Sequence, residues 1–211
     1  MKKVLYPAFA LVLLFFGYRH FLAHMPEERP RPPAAGSIIC FGDSLTSGYG
    51  ASPGMDYPSQ LSRRIGLPVI NAGVPGDTTA DALKRLDADV LSRSPRIVLI
   101  TLGGNDLKNR LPAETAFRNL QQIVETIQRQ GALVILGGID IPLYGRGFAD
   151  GYRKVAERTG ALLIPDILAG ILGNPKRMSD PIHPDDRGYR MVADRFYESV
   201  PPDFWRPQLG S

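Results

Sequence analysis

The sequence predicts an α/β protein, a three-layer α/β/α sandwich in which helices cover both faces of a five-stranded parallel sheet. Three observations predict this fold class: five short apolar runs recur along the chain, helical patterns lie between them, and the runs are apolar at consecutive positions. Strands that are apolar on both faces belong in a covered sheet, and alternation with helices indicates parallel pairing. The 211 residues, 44% of them hydrophobic, suit one domain with a short extension.

The spacing of apolar residues places the elements in order. Strands are predicted at residues 38–41, 68–70, 97–102, 132–136 and 161–164. A helix capped by Asp77 or Thr78 follows the second strand. Its apolar residues share one face, namely Leu83, Leu86, Val90 and Leu91. Further helices are predicted at residues 112–131, 152–158 and 188–200. Ligands of such sheets bind beyond the carboxyl ends of the strands, so chemistry is expected there.

The N-terminal segment is predicted to meet the membrane. Lys2 and Lys3 precede an uncharged apolar stretch at residues 4–18. Residues 1–25 are therefore predicted to be an uncleaved membrane anchor, with a cleaved signal peptide as the alternative. The two lysines would hold the N-terminus in the cytoplasm and place the rest on the extracytoplasmic, periplasmic side.

Composition shifts set the remaining boundaries. The Pro- and Arg-rich residues 26–36 are predicted to be a linker, residues 37–203 the folded domain, and residues 204–211 a C-terminal tail.

Charge and cysteine content exclude several classes of partner. The net charge is +4, of which residues 1–36 carry +3, so the domain is nearly neutral and no nucleic-acid partner is expected. The single cysteine, Cys40, excludes an intrachain disulfide and is predicted to be buried in its apolar run. With one domain histidine and no Walker-type glycine loop, neither a metal nor another cofactor is expected.

Ser44 is the predicted nucleophile. It follows the first strand within Gly42-Asp43-Ser44-Leu45, where the glycine permits a tight turn and the serine begins a helix. Amides at a helix start can stabilise an oxyanion. A purely structural N-cap serine is the alternative. A second pattern, Gly-x-Ser-x-Gly at residues 50–54, is set aside because no strand precedes it and Pro53 does not suit a strand-to-helix elbow.

Asp180 and His183 are the predicted partners of Ser44. Their spacing of three puts both side chains on one turn, where the carboxylate can orient the imidazole. His20 and His24 lie in the N-terminal segment, so His183 is the one histidine that the domain can use as a base. An ordinary surface-loop histidine is the alternative.

Two further strand ends carry predicted oxyanion donors. Gly103-Gly104-Asn105-Asp106 ends the third strand and offers the Asn105 amide. Gly76, in the loop after the second strand, can present its N–H where a side chain would block the site. Three acidic residues beside turns are predicted to order loops or cap helices, namely Asp43, Asp77 and Asp106.

These four blocks, in this order, resemble those of the GDSL or SGNH hydrolase family over about residues 37–200. The resemblance implies a flavodoxin-like sandwich and an oxyanion hole formed by the Ser44 N–H, the Gly76 N–H and the Asn105 amide. Residues 71–78 and 144–146 are similar to those of small bacterial periplasmic arylesterases, thioesterases and lysophospholipases of this family.

The expected activity is that of a serine esterase acting through an acyl-enzyme. Its expected substrates are aryl esters, short or medium acyl esters, thioesters or lysophospholipids. Tyr144 and Phe148, within residues 141–148, are predicted to line an acyl pocket, with ordinary packing under a loop as the alternative. Deacetylation of an envelope polysaccharide is an alternative activity, and a non-catalytic anchored binding module is a third hypothesis.

Overall fold

The computed structural model describes residues 32–141 and 147–206 and contains a five-stranded, all-parallel sheet. The strands are β1 (Ser37–Gly42), β2 (Val69–Gly73), β3 (Pro95–Thr101), β4 (Leu133–Gly137) and β5 (Leu162–Ile164). Their spatial order is β2-β1-β3-β4-β5. The predicted α/β class is confirmed, and all five strands lie where the apolar runs placed them.

The helices connect these strands and follow the last of them. They are α1 (Ser44–Ser47), α2 (Tyr57–Ile65), α3 (Thr79–Asp89), α4 (Gly104–Lys108), α5 (Ala113–Gln128), α6 (Phe148–Thr159), α7 (Asp186–Ser199) and α8 (Pro202–Trp205). A 3₁₀ turn spans Leu91–Arg93. The α2 and α7 helices pack together, and α5 packs against both α3 and α6. Helices α2, α4 and α8 had no counterpart in the sequence prediction.

Both faces of the central strands of the sheet are buried. All residues of β3 and β4 are buried at consecutive positions, and neighbouring side chains of a strand point to opposite faces. The core therefore lies on both sides of the central strands, as the sequence predicted. Cys40, in β1, is fully buried, and this burial raises the pKa of its thiol well above the usual range.

Local chemistry explains where α3 begins. The Thr78 hydroxyl accepts a hydrogen bond from the Asp81 amide, and the Asp81 carboxylate accepts one from the Thr78 amide, which is a capping box. Of the two predicted caps, Thr78 is thus the one in place. Asp77 instead forms an ion pair with Arg85, with 2.5 Å between its Oδ2 and the Arg85 Nε.

The packed part of the chain extends beyond residue 203, where the domain was predicted to end. Phe204 and Trp205 are buried in α8, and the Arg96 guanidinium donates hydrogen bonds to the carbonyls of Phe204 and Arg206. The tail predicted at residues 204–211 therefore begins with residues of the core. Helix α8 could not be predicted from the spacing of apolar residues, because four residues are too few to show a helical periodicity.

Several predictions concern segments outside the described residues. The anchor or signal peptide at residues 1–25 lies there, as do Tyr144 and most of the predicted linker. Within the two described ranges, no helix has the length and apolar character needed to cross a bilayer.

Candidate active site

The strand order explains where the site forms. The chain runs from β1 to β2 on one side of the sheet, and the later strands follow on the other side of β1, so the connections diverge between β1 and β3. Such a divergence opens a crevice at the carboxyl edge of a parallel sheet. Ser44 begins α1 two residues after the end of β1, and Asn105 lies in the first turn of α4, which follows β3.

The turn that presents Ser44 is tightly built. A side chain at Gly42 would collide with Thr46 and with the Thr101 carbonyl, so only glycine fits there. The Asp43 carboxylate caps α1 by accepting a hydrogen bond from the Leu45 amide at 3.0 Å. Beneath the turn, the Thr46 hydroxyl lies 2.9 Å from the Tyr57 hydroxyl. These contacts fix the start of α1, and with it Ser44.

The loop before α7 brings Asp180 and His183 together. Asp180 Oδ1 accepts hydrogen bonds from the amides of Ile182 and His183, both at 2.7 Å, so the carboxylate shapes its own loop. Its other oxygen lies 2.8 Å from His183 Nδ1. The Met178–Pro184 bridge closes the base of this loop.

A continuous hydrogen-bonded chain joins the three predicted residues. His183 Nε2 lies 3.0 Å from Ser44 Oγ, although 139 positions separate the two residues. The hydrogen bond from His183, followed by the two amide hydrogen bonds, lowers the pKa of Asp180 to about 2. Asp180 is therefore ionised at neutral pH and holds the proton on His183 Nδ1, which leaves Nε2 able to accept the Ser44 proton.

The predicted oxyanion donors line the same cavity as Ser44. Gly76 has a φ of +89°, a conformation that favours glycine, and its Cβ position is free of protein atoms. Asn105 Nδ2 donates to the Asp77 carbonyl at 2.9 Å and to Asp43 Oδ2 at 3.3 Å. Both of its amide protons are thus engaged when no substrate is bound.

Asp43 lies almost entirely buried beneath these groups. Its pKa is raised to about 7, chiefly because burial disfavours the charged form by more than the hydrogen bond from Leu45 stabilises it. The nearby carboxylates of Asp77 and Asp106 also contribute to raising it. Asp106, also buried, accepts hydrogen bonds from the amide and hydroxyl of Thr79 at the start of α3. Asp43 and Asp106 therefore cap helices and Asp77 orders a loop through its ion pair with Arg85, as the sequence predicted for these three residues.

The cavity around Ser44 measures about 1190 Å³. Much of its wall is apolar, with contributions from Leu107, Leu111, Ile139, Ile141, Phe148, Leu168 and Leu172. Phe148 thus lies where an acyl pocket was predicted, and it also packs against Phe117 with 4.7 Å between ring centroids.

Ser52, of the discarded Gly-x-Ser-x-Gly pattern, is exposed and lies outside the cavity wall. Among the described residues, no cluster of three or more histidine, cysteine or acidic side chains is arranged to hold a metal ion.

Several residues of the cavity wall were not predicted from the sequence. Leu168 and Leu172 follow β5, and Lys108 and Arg110 follow Asn105. All four lie beyond the carboxyl ends of strands, so the rule that located the polar residues would also have found these. Arg85 was missed as well, although it donates to the Gly42 carbonyl at 2.8 Å and to the Ala72 carbonyl at 3.0 Å.

An α/β sandwich with a serine, a histidine and a carboxylate hydrogen-bonded in series at the carboxyl edge of its sheet has the architecture of a serine hydrolase. The chain belongs to the GDSL-like lipase/acylhydrolase family, whose model matches residues 40–191.

Named relatives agree with this assignment. The chain is 32% identical to thioesterase 1/protease 1/lysophospholipase L1 of Escherichia coli K12, across 82% of this chain and 86% of that protein. It is 31% identical to an arylesterase of Vibrio mimicus, across 76% of this chain and 86% of that protein. A crystal structure of TesA superposes with a TM-score of 0.75 at 28% identity, covering 79% of this chain and 98% of that one. The protein is a carboxylic ester hydrolase.

Proposed function

We propose that Ser44 is the nucleophile of this esterase, that His183 is its general base and then its general acid, and that Asp180 orients His183. The observation that carries the proposal is the hydrogen-bonded chain from Ser44 Oγ to His183 Nε2 and from His183 Nδ1 to Asp180. Ser44 loses its proton to His183 as it attacks the acyl carbonyl. His183 then protonates the departing alcohol or thiol, and water hydrolyses the acyl-enzyme.

The oxyanion is proposed to be held by the N–H groups of Ser44 and Gly76 and by the Asn105 amide. The Asn105 contact to Asp43, at 3.3 Å, is longer than its contact to the Asp77 carbonyl, at 2.9 Å. The longer contact is the weaker one and the easier one to exchange. Asn105 then keeps its bond to Asp77, which fixes its orientation, and turns the other proton toward the oxyanion.

Short or medium acyl esters, aryl esters, thioesters and lysophospholipids are the proposed substrates. The apolar side chains of the cavity wall support this choice, because they can bury an acyl chain but offer little to a hydrated sugar. We further propose that the enzyme acts on the extracytoplasmic side of a membrane, with residues 1–25 as its anchor or signal. That proposal depends on Lys2 and Lys3 before the apolar stretch.

Turnover of p-nitrophenyl butanoate by matched variants tests the nucleophile and the base. Ser44→Ala and His183→Ala are each expected to abolish nearly all turnover, and Asn105→Ala to lower kcat by about 10²–10³, as for other oxyanion donors. Ser52→Ala is the matched control and should retain the full rate. A fluorophosphonate probe should label the wild type but not Ser44→Ala. Full activity in His183→Ala would disprove the mechanism, and folded wild-type protein that takes up no probe would favour a binding module.

A further inference from the structure

Two cations beside the active-site cavity have no partner among the residues that the structure describes. Lys108 and Arg110 both line it, and both are exposed. Within residues 32–141 and 147–206, neither side chain forms an ion pair or a hydrogen bond. Of the acidic residues in the cavity wall, Asp43 is buried and Asp180 is held by His183, so neither is available to neutralise the two cations.

The backbone at Arg110 supports a role for this side chain. Arg110 has a φ of +54°, in the left-handed region, and follows Asn109, the C-cap of α4. Glycine is the usual residue at this position after a helix, because a side chain there is strained. A large cationic side chain held in a conformation that favours glycine is the kind of outlier that accompanies function.

The cavity is amphipathic along the edge of the sheet. The two cations follow β3, where Leu107 and Leu111 also line the cavity, and further apolar wall residues follow β4 and β5, among them Ile139, Ile141 and Leu168. Strands β4 and β5 lie on the side of β3 away from β1. An ester bound at Ser44 therefore meets apolar side chains in one part of the cavity and positive charge in another.

We propose that Lys108 and Arg110 form an anion-binding site that selects acyl esters whose alcohol portion carries an anionic group, while the acyl chain occupies the apolar part. The inference rests on the proposed function, because it specifies the substrate class of the same site. A guanidinium can donate two parallel N–H···O hydrogen bonds to a carboxylate or phosphate, and a lysine adds a mobile point charge. Both cations also raise the rate at which an anion reaches the cavity, an effect that salt screens.

A pair of esters that differ in one charge tests this proposal. The full-length protein, in neutral detergent, is assayed with 4-(butanoyloxy)benzoate and with its uncharged methyl ester, and the ratio of the two kcat/KM values is compared between variants. Lys108→Gln and Arg110→Gln are each expected to lower this anionic-to-neutral ratio about 5-fold at low salt, the upper range for exposed ion pairs. At about 1 M salt the difference between wild type and variants should largely disappear, because the Debye length is then only about 3 Å.

Matched variants separate charge recognition from folding. Lys154→Gln and Arg129→Gln remove exposed cations that do not line the cavity, so the ratio should stay at the wild-type value. Arg110→Lys should largely retain it. Arg110→Gly should lower it without lowering the melting temperature, because glycine relieves the backbone. A wild-type ratio in the Lys108→Gln/Arg110→Gln double variant would overturn the inference alone, whereas wild-type protein that hydrolyses neither ester would overturn the proposed function with it.

Discussion

At the scale of single residues, Asp43 has the most unusual environment in the site. It must be an acceptor for the Leu45 amide at the start of α1, yet it is buried beside Asp77 and Asp106. Its ordinary pKa of 3.8 is raised to about 7, so near neutrality both protonation states are populated in the folded protein. The carboxylate form can accept at both oxygens, from the Leu45 amide and from Asn105, so Asp43 links the protonation of the core to a proposed oxyanion donor.

The pKa of Asp43 predicts a pH-dependent stability difference from Asp43→Asn. The folded pKa is higher than the unfolded one, so the folded state binds the proton more tightly, and the free energy of unfolding of the wild type falls as pH rises from about 4 to about 7. One pKa unit is about 1.4 kcal/mol, so the total is at most about 4 kcal/mol. Asparagine does not titrate and keeps an acceptor for Leu45. Urea denaturation at pH 5, 6, 7 and 8 should show that the free energy of unfolding of Asp43→Asn rises relative to that of the wild type as pH increases. A difference between the two proteins that stays constant over this range would contradict a raised pKa caused by burial.

Polar residues that follow a strand or share a turn could be located from the sequence. His183 lies within hydrogen-bond reach of both Ser44 and Asp180, which the sequence predicted as its partners. The contacts between Asn105 and Asp43 could not be predicted, because they depend on the packing of two turns that lie 62 positions apart. The raised pKa of Asp43 could not be predicted from the sequence either, since it arises from burial rather than from neighbouring residues in the chain.

At the scale of elements, Arg85 in α3 joins the two strand ends that carry predicted site residues. Its guanidinium donates to the carbonyls of Gly42, the last residue of β1, and Ala72 in β2, and it pairs with Asp77 and Asp89. Asp77 in turn supplies the carbonyl that holds Asn105. The side chain is 17% exposed and lies over the Phe41 ring. Arg85, which lies outside the cavity wall, thus holds the loop of Gly76 and Asp77 in place and thereby positions Asn105.

Replacement of Arg85 by lysine is expected to slow turnover more than it weakens substrate binding. A lysine carries the charge but cannot reach four acceptors with a planar fork, so the Gly76–Asp77 loop should shift. We expect kcat for p-nitrophenyl butanoate to fall roughly 10-fold or more with little change in KM, because small displacements of positioned groups are costly. Arg118→Lys, at an exposed helix pair with Glu114, is the matched control. A variant with lower stability but wild-type kcat would show that Arg85 only supports the fold.

The strands were easier to predict than the helices for a physical reason. Buried parallel strands consist of continuous apolar runs, and β1, β3 and β4 show this directly. Helix α2 was missed because it follows a Gly- and Pro-rich turn and shows few apolar residues. Its Tyr57, Leu61 and Ile65 do recur at intervals of four, a spacing typical of one helix face, and this signal was available.

At the scale of the whole molecule, the site and the C-terminal helix lie at opposite edges of the sheet. Arg96 is the second residue of β3 and holds α8 at the amino edge, while Asn105 follows the carboxyl end of the same strand. Seven residues of extended chain span about 20 Å. Substitutions at α8 should therefore change the stability of the domain and leave the chemistry of the site intact.

Trp205→Ala tests this separation. The Trp205 ring is 3% exposed and stacks on Tyr197 with 6.3 Å between centroids, and its indole N–H donates to the Tyr197 carbonyl at 3.3 Å. Loss of a buried tryptophan costs about 3–5 kcal/mol, so the urea midpoint should fall sharply, whereas kcat/KM measured well below that midpoint should match the wild type. Trp205→Phe keeps the stacked ring and should recover much of the loss. An unchanged midpoint in Trp205→Ala would mean that residues 204–205 are a dispensable tail, and a changed kcat/KM would mean that the two edges of the sheet are coupled.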